Sequence, residues 1–269
     1  MLELLPLAAL LLLTGAIAGL AAGLLGVGGG IVIVPVLFHL FGQQGIEPGL
    51  RMHLAVGTSL ATIVVTAWRS VRSHHARGAV DVALLRSWIA PVLAGALAGS
   101  ALAGFAGGRA LALVFATVAL GVALHMAFGR ESWRLAPQLP RGAGRTALGA
   151  SIGFLSLLMG LGGGTLGVPL LSLFGLPIHR AVGTAAGLGL VIGVPGAISF
   201  AVSGWGAPGL PPFSLGYVNL LGFVLIVPAT WLAAPVGARL AHRAPQRTLR
   251  RLFALFLVIT SLRMFSDGL

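Results

Sequence analysis

The chain has 269 residues, 57% of them hydrophobic and only 8% charged, with a mean hydropathy of +1.02 and no cysteine. That composition excludes an ordinary soluble domain, and the missing cysteines exclude disulfides and thiolate metal sites. The net charge of +12 comes from arginine without a single lysine; these arginines stand in short loops between apolar runs, where cytoplasmic loop bias explains them and a nucleic-acid groove does not.

Residues 4–23 form the first apolar run, about the twenty residues that a helix needs to cross hydrocarbon. Its start carries Glu3 and no basic residue, unlike a cleavable leader, so it is expected to remain as a membrane segment. The run leads into Gly26-Val-Gly-Gly-Gly30 and a short apolar stretch, 31–41, which ends at a loop over 42–50. Full spans are expected at about 53–68, 82–105 and 109–128. An Arg- and Pro-bearing linker follows, with Arg130, Arg134, Pro137, Pro140 and Arg141. The second half opens with another apolar run into Gly160-Leu-Gly-Gly-Gly164 and a short stretch over 165–174. Its spans are expected at about 181–202, 215–238 and 248–265.

The chain is a duplication. Gly26-Val-Gly-Gly-Gly…Pro35 returns as Gly160-Leu-Gly-Gly-Gly…Pro169, and His53-Leu-Ala-Val-Gly-Thr58 returns as His179-Arg-Ala-Val-Gly-Thr184. Two motif pairs in the same order divide the chain into a first transmembrane repeat (1–129), a cytoplasmic linker (130–144) and a second transmembrane repeat (145–269).

The number of crossings turns on the short stretches. If each one only finishes the preceding helix, there are eight spans and the halves are parallel. If each turns back, there are ten segments and the halves are inverted. Inversion collects 14 arginines on one side and leaves Arg51, Arg109 and Arg263 on the other, whereas eight spans divide them about 9 to 8. Inversion fits the charge rule, with both termini outside and the linker inside. A helix over 31–41 rises only about 16 Å against a hydrocarbon core of about 30 Å, so these pieces read as half-helices of re-entrant hairpins. The expected fold is therefore an all-α polytopic membrane protein: two inverted repeats, each with a broken Gly-rich helix pair and three transmembrane helices.

The triplets Gly28-Gly29-Gly30 and Gly162-Gly163-Gly164, each before a half-helix, would leave unpaired N–H groups at a positive helix end, a setting that attracts anions. Two inverted copies would aim two such ends at one midplane site, as in many secondary transporters. Close helix packing by small residues is the plainer use of the same glycines. Thr58, Ser59, Thr165 and Thr184 add hydroxyls at these motifs as candidate anion ligands, although such hydroxyls also bond their own helix carbonyls. His53 and His179 begin the matched helices and are candidates for gating or titration. His39 and His125 read as packing residues, and Arg180 as a topology determinant. Trp68 and Trp88 at one face, with Trp205 and Tyr217 at the other, suit interfacial belts.

The acidic residues Glu3, Glu47, Asp81, Glu131 and Asp267 all fall outside the expected spans, which argues against a carboxylate-lined cation or proton pathway. Gly26–Gly30 matches neither the dinucleotide nor the P-loop fingerprint, and His74-His75 lacks carboxylates or cysteines to complete a metal site. No nucleophile–base pair is visible, so no enzyme and no cofactor is expected.

The chain resembles the sulfite exporter TauE/SafE family of membrane permeases over nearly its whole length. The resemblance rests on Gly26-Val-Gly-Gly-Gly…Pro35, His53-Leu-Ala-Val-Gly-Thr-Ser59, Arg77-Gly-Ala-Val-Asp81, Gly160-Leu-Gly-Gly-Gly…Pro169 and Arg180-Ala-Val-Gly-Thr184. It implies movement of a small sulfur-containing or organic anion, such as sulfite or a sulfonate, across a bacterial cytoplasmic membrane. It makes the glycine triplets, Thr58, Ser59 and Thr184 the candidate contacts. Ala185 stands where the first copy has Ser59, so the site is expected to be asymmetric. The expected partners are the anion, the bilayer and, as an open option, further copies of the chain; nucleic acid is excluded. A channel with the same site and a membrane scaffold that carries nothing are the rival readings.

Overall fold

The computed structural model describes residues 4–25, 28–128, 135–136, 138–241 and 246–268. Glu3, Gly26, Glu131 and the linker residues Arg130, Arg134 and Pro137 lie outside the described residues. Ten helices make up nearly all of the rest. The first half holds α1 (Leu4–Leu25), α2 (Gly30–Gln43), α3 (Pro48–Ala76), α4 (Val82–Phe105) and α5 (Gly108–Phe128). The second holds α6 (Ala143–Leu158), α7 (Gly163–Leu173), α8 (Ile178–Ser203), α9 (Leu220–Ala241) and α10 (Gln246–Gly268).

Six of these helices, α1, α3, α4, α5, α8 and α9, hold segments long and apolar enough to cross a membrane. The protein is thus mostly helical and polytopic. Both glycine-rich regions interrupt helix: α1 ends at Leu25 and α2 begins at Gly30, while α6 ends at Leu158 and α7 begins at Gly163. At 14 and 11 residues, α2 and α7 are half-helices.

Two boundaries differ from expectation. Helix α3 runs 29 residues, because Pro48 seats its first turn and the Arg- and His-rich tail beyond Trp68 stays helical. Helix α9 starts at Leu220, because 214–219 fold into a small antiparallel hairpin, β1 (Ser214–Leu215) and β2 (Val218–Asn219). Asn219 closes that hairpin and caps α9, its Oδ1 accepting the Gly222 N–H at 2.8 Å.

The halves interlock. The first helix of each half lies along the fourth of the other, α1 on α9 and α6 on α4. Corresponding helices also meet each other, α3 with α8 and α5 with α10. Glycines permit these approaches. A methyl at Gly15 would lie 2.6 Å from the Ile226 carbonyl oxygen, and one at Gly19 equally close to that of Thr230. At the matched positions of α6, Gly149 abuts Pro91 and Gly153 abuts the Val92 carbonyl.

The same contacts give directions. Along α3 and α8, Gly57 meets Phe200, Leu60 meets Gly196, Ile63 meets Gly193, and Ala67 meets Gly189, so the two helices run antiparallel. Helices α1 and α9 run the same way, with Gly15 on Ile226 and Gly237 on Leu20.

Two expected interfacial aromatics are elsewhere. Trp88 is 1% exposed, on the face of α4 shared with Val92, Gly95, Ala96 and Gly99, so it is a core residue. Tyr217 is half-buried, its ring 4.9 Å from that of His53. Trp68 and Trp205 remain exposed.

Candidate functional site

The two glycine turns meet at the middle of the α3–α8 pair. Gly28 takes φ +79° and Gly160 φ +66°, conformations that side-chain-bearing residues rarely adopt and that reverse the chain within a few residues. Gly29 then lies 3.3 Å, measured from an added methyl, from Cβ of Ala18, about two-thirds of the way along α1. Helix α2 therefore begins beside the interior of the helix that precedes it, about two turns back from its end.

Gly30 comes close to the other turn. A methyl on it would sit 2.6 Å from the Gly160 carbonyl oxygen and 3.1 Å from Ser59 Oγ. Ser59 donates to that same carbonyl at 2.7 Å. From the second half, Gly162 faces Ile63 of α3, and Gly163 packs onto Ala185, Leu188 and Gly189 of α8. Gly29, Gly30, Gly162, Gly163, Gly164, Ser59 and Thr165 are all buried, and Gly28 is half-buried. Neither α2 nor α7 carries a side-chain cap, so their positive ends are left to backbone amides. The residues that meet here carry no ionised side chain.

Two matched clefts flank the half-helices. One, about 370 Å³, lies between α7 and α5 and takes in Thr165, Pro169 and His125. The other, about 230 Å³, lies between α2 and α10 and takes in Pro35, Thr260 and Arg263. Pro35 and Pro169 are repeat equivalents, and a basic residue stands in each cleft.

Thr58 and Thr184, each one residue along its helix from a residue that touches a glycine turn (Ser59 and Ala185), bond the backbone of the opposite half in a joint. Thr58 Oγ1 accepts the backbone N–H of Asn219 at 2.9 Å, and Thr184 Oγ1 accepts that of Asp81 at 3.0 Å. Both acceptors reach into the other half, and each contacted residue caps its fourth helix: Asp81 accepts Leu84 N–H at 2.9 Å, as Asn219 accepts Gly222. The glycine before each threonine completes the joint, Gly57 against the Tyr217 carbonyl and Gly183 against that of Ala79. The duplicated Ala-Val-Gly-Thr is thus a docking motif, in which glycine admits the backbone of the opposite half and threonine bonds it.

The two joints differ in chemistry. At one, Asp81 also pairs with Arg180 at 2.9 Å, so the residue read as a topology determinant has a structural partner as well. At the other, Asn219 donates to Pro212 carbonyl and Ser214 Oγ, both at 3.3 Å. His53 is 8% exposed there, with Nδ1 3.0 Å from the Gly49 carbonyl and Nε2 3.2 Å from that of Ala103. His179 is exposed and lies near His74.

Asn219 and the Gly15/Gly19 and Gly149/Gly153 pairs are not singled out by the sequence, and Tyr217 is read there only as an interfacial aromatic. The glycine pairs carried a signal, since each is a small-xxx-small pattern and the two are offset by the 134 positions that separate the triplets.

The family model described as "Sulfite exporter TauE/SafE" matches residues 11–264. A protein of Haemophilus influenzae named "Probable membrane transporter protein" is 36% identical over 95% of this chain and 97% of its own length. A probable membrane transporter protein of Methanocaldococcus jannaschii is 26% identical over 97% of both chains. No solved structure matches the chain.

Proposed function

The chain belongs to the sulfite exporter TauE/SafE family and is a membrane transporter; from that premise we propose that it is a permease for a small anion, a sulfite or sulfonate, which it exports across the bacterial cytoplasmic membrane. The single observation that carries this reading is the burial of both glycine turns side by side at the centre of the α3–α8 pair. A lone anion is costly in a low-dielectric interior unless fixed dipoles replace its water. Two uncapped helix ends supply such dipoles without a countercharge, so the anion can leave as readily as it enters. Ser59 holds the Gly160 carbonyl and so sets the shape of the second turn. The matched clefts beside α7 and α2 would lead to the site from opposite faces.

The proposal includes inverted repeats. What supports it is the antiparallel run of the corresponding helices α3 and α8, together with the arginine bias of the loops. In such an arrangement the two docking joints lie toward opposite faces, and loosening one at a time gives alternating access. Export is supported by the family's designation as sulfite exporters.

The test is Gly162→Ala. An added methyl meets nothing nearer than Ile63 Cγ2 at 3.4 Å, so the fold tolerates it while the site narrows. Purified protein in liposomes should lose anion flux and keep its elution profile. Unchanged flux would reject the site, and absence of flux in the parent protein for sulfite, sulfonates and carboxylates alike would favour a scaffold.

A further inference from the structure

We infer that His53 is a proton-binding site, and that a proton held there shuts the joint between α3 and the 204–219 segment. This inference rests on the permease reading, with that joint acting as one of the two gates. The starting observation is the ring's two-sided environment. Nδ1 faces the Gly49 carbonyl at 3.0 Å and Nε2 faces the Ala103 carbonyl at 3.2 Å, in a position only 8% exposed. A neutral imidazole has one N–H and one lone pair, so it donates to one carbonyl and turns a lone pair toward the other. The imidazolium donates to both. Protonation therefore completes a bridge from the first turns of α3 to the end of α4.

The same proton acts across the two halves. The His53 ring lies 4.9 Å from that of Tyr217, at 36° between planes, and a cationic ring is drawn to an aromatic face where a neutral one is held only by packing. Tyr217 belongs to the joint itself, because its carbonyl rests on Gly57, and Asn219, two residues on, donates to Thr58. A proton on His53 thus tightens the seam that an outward-open state must part.

The surroundings contain few competing charges. The last two turns of α4 and of α8 carry no ionisable side chain, and the 204–219 segment carries only Tyr217. At this end of the bundle Glu47 stands just before α3, α3 brings Arg51, and α5 brings Arg109. Arg51 is turned to the Ile46 carbonyl, 2.6 Å from its Nε. The repeat equivalent lacks this design. His179 is exposed and stands near His74 and the Asp81–Arg180 pair, without the two enclosing carbonyls that His53 has. Only one of the duplicated histidines is enclosed between two carbonyls.

The test uses protein in liposomes with equal pH on both sides, so that orientation is immaterial. The probe is radiolabelled methanesulfonate, which stays ionised throughout the range where histidine titrates. Exchange should slow from pH 8 to pH 5.5 by about fivefold or more, the low end of coupling between linked sites. His53→Gln, which donates to only one carbonyl, should remove that dependence, while His179→Gln should keep it. An unaltered pH profile in His53→Gln overturns the inference and leaves the permease reading standing.

A second readout needs neither transport nor a His53 variant. The chain has no cysteine, so Val218→Cys at the joint and Leu215→Cys on the exposed side of the hairpin can be labelled singly. The ratio of the Val218→Cys rate to the Leu215→Cys rate should fall as the pH falls, since a shut joint hides only the first. A constant ratio overturns the inference even if methanesulfonate is not carried. A falling ratio without flux supports the latch and counts against the choice of anion.

Discussion

Valine in place of Thr58 keeps the shape of the side chain and deletes one acceptor. The group left behind is the backbone N–H of Asn219, which Thr58 Oγ1 accepts at 2.9 Å where Thr58 is 0% and Asn219 6% exposed. A buried amide without a partner costs about 1–3 kcal/mol. Thr184 is the matched control. Its Oγ1 accepts Asp81 N–H at 3.0 Å, but the Asp81 side chain is 22% exposed, so water can take over that amide. The loss for Thr184→Val is then about 0.5–1 kcal/mol. For a chain of this length each kcal/mol moves the melting temperature by about 2–4 °C, so Thr58→Val should melt about 2–12 °C lower and Thr184→Val about 1–4 °C lower. The assay is the loss of the monodisperse size-exclusion peak after heating in detergent. Thr58→Ser keeps the acceptor and should recover most of the difference. Equal melting of Thr58→Val and the parent would refute the reasoning, as would a larger drop for Thr184→Val.

Three further outcomes follow from the same geometry. Gly163→Ala places a methyl 2.5 Å from the Ala185 carbonyl oxygen and 2.8 Å from Gly189 N, so it should destabilise by about 1–3 kcal/mol and lower the yield of folded protein, in contrast to Gly162→Ala. Asp81→Asn removes the ion pair with Arg180, which is 51% exposed, but keeps the helix cap, as Asn219 does in the other half; thermal stability should change by less than about 1 kcal/mol, and a larger loss would show that the charge holds the joint. For topology, Ser73→Cys and Gln138→Cys should resist an impermeant thiol reagent in intact cells and react once the cells are opened, whereas Leu215→Cys should react at once. Labelling of all three from the same side would remove the inverted arrangement.

Much of this architecture is legible in one dimension because lipid imposes a simple code. A helix must be apolar along its length, loop arginines report the side, and duplication repeats its motifs in register. Thus the membrane class, the paired glycine turns and the half-helices at 31–41 and 165–174 could be read from residue order. The boundary of α9 could not, because the pairing of 214–215 with 218–219 and the cap at Asn219 are set by backbone contacts that residue order does not display. The inward turn of Trp88 is hidden in the sequence for a related reason. Within a lipid-exposed helix composition does not tell the packed face from the outer one, and Trp88 turns inward.

The amino-acid sequence by itself determined what is local: which segments are apolar enough to cross a bilayer, where helices break at glycine, and which motifs recur in both halves. What Ala-Val-Gly-Thr does was decided only by the tertiary structure. Its threonines bond amides 161 and 103 residues away, and no spacing rule links positions that meet because two halves cross. The meeting of Gly30 with Gly160, and the two carbonyls around His53, belong to the same class. Backbone groups look alike in every sequence, and folding alone selects which of them a side chain will face.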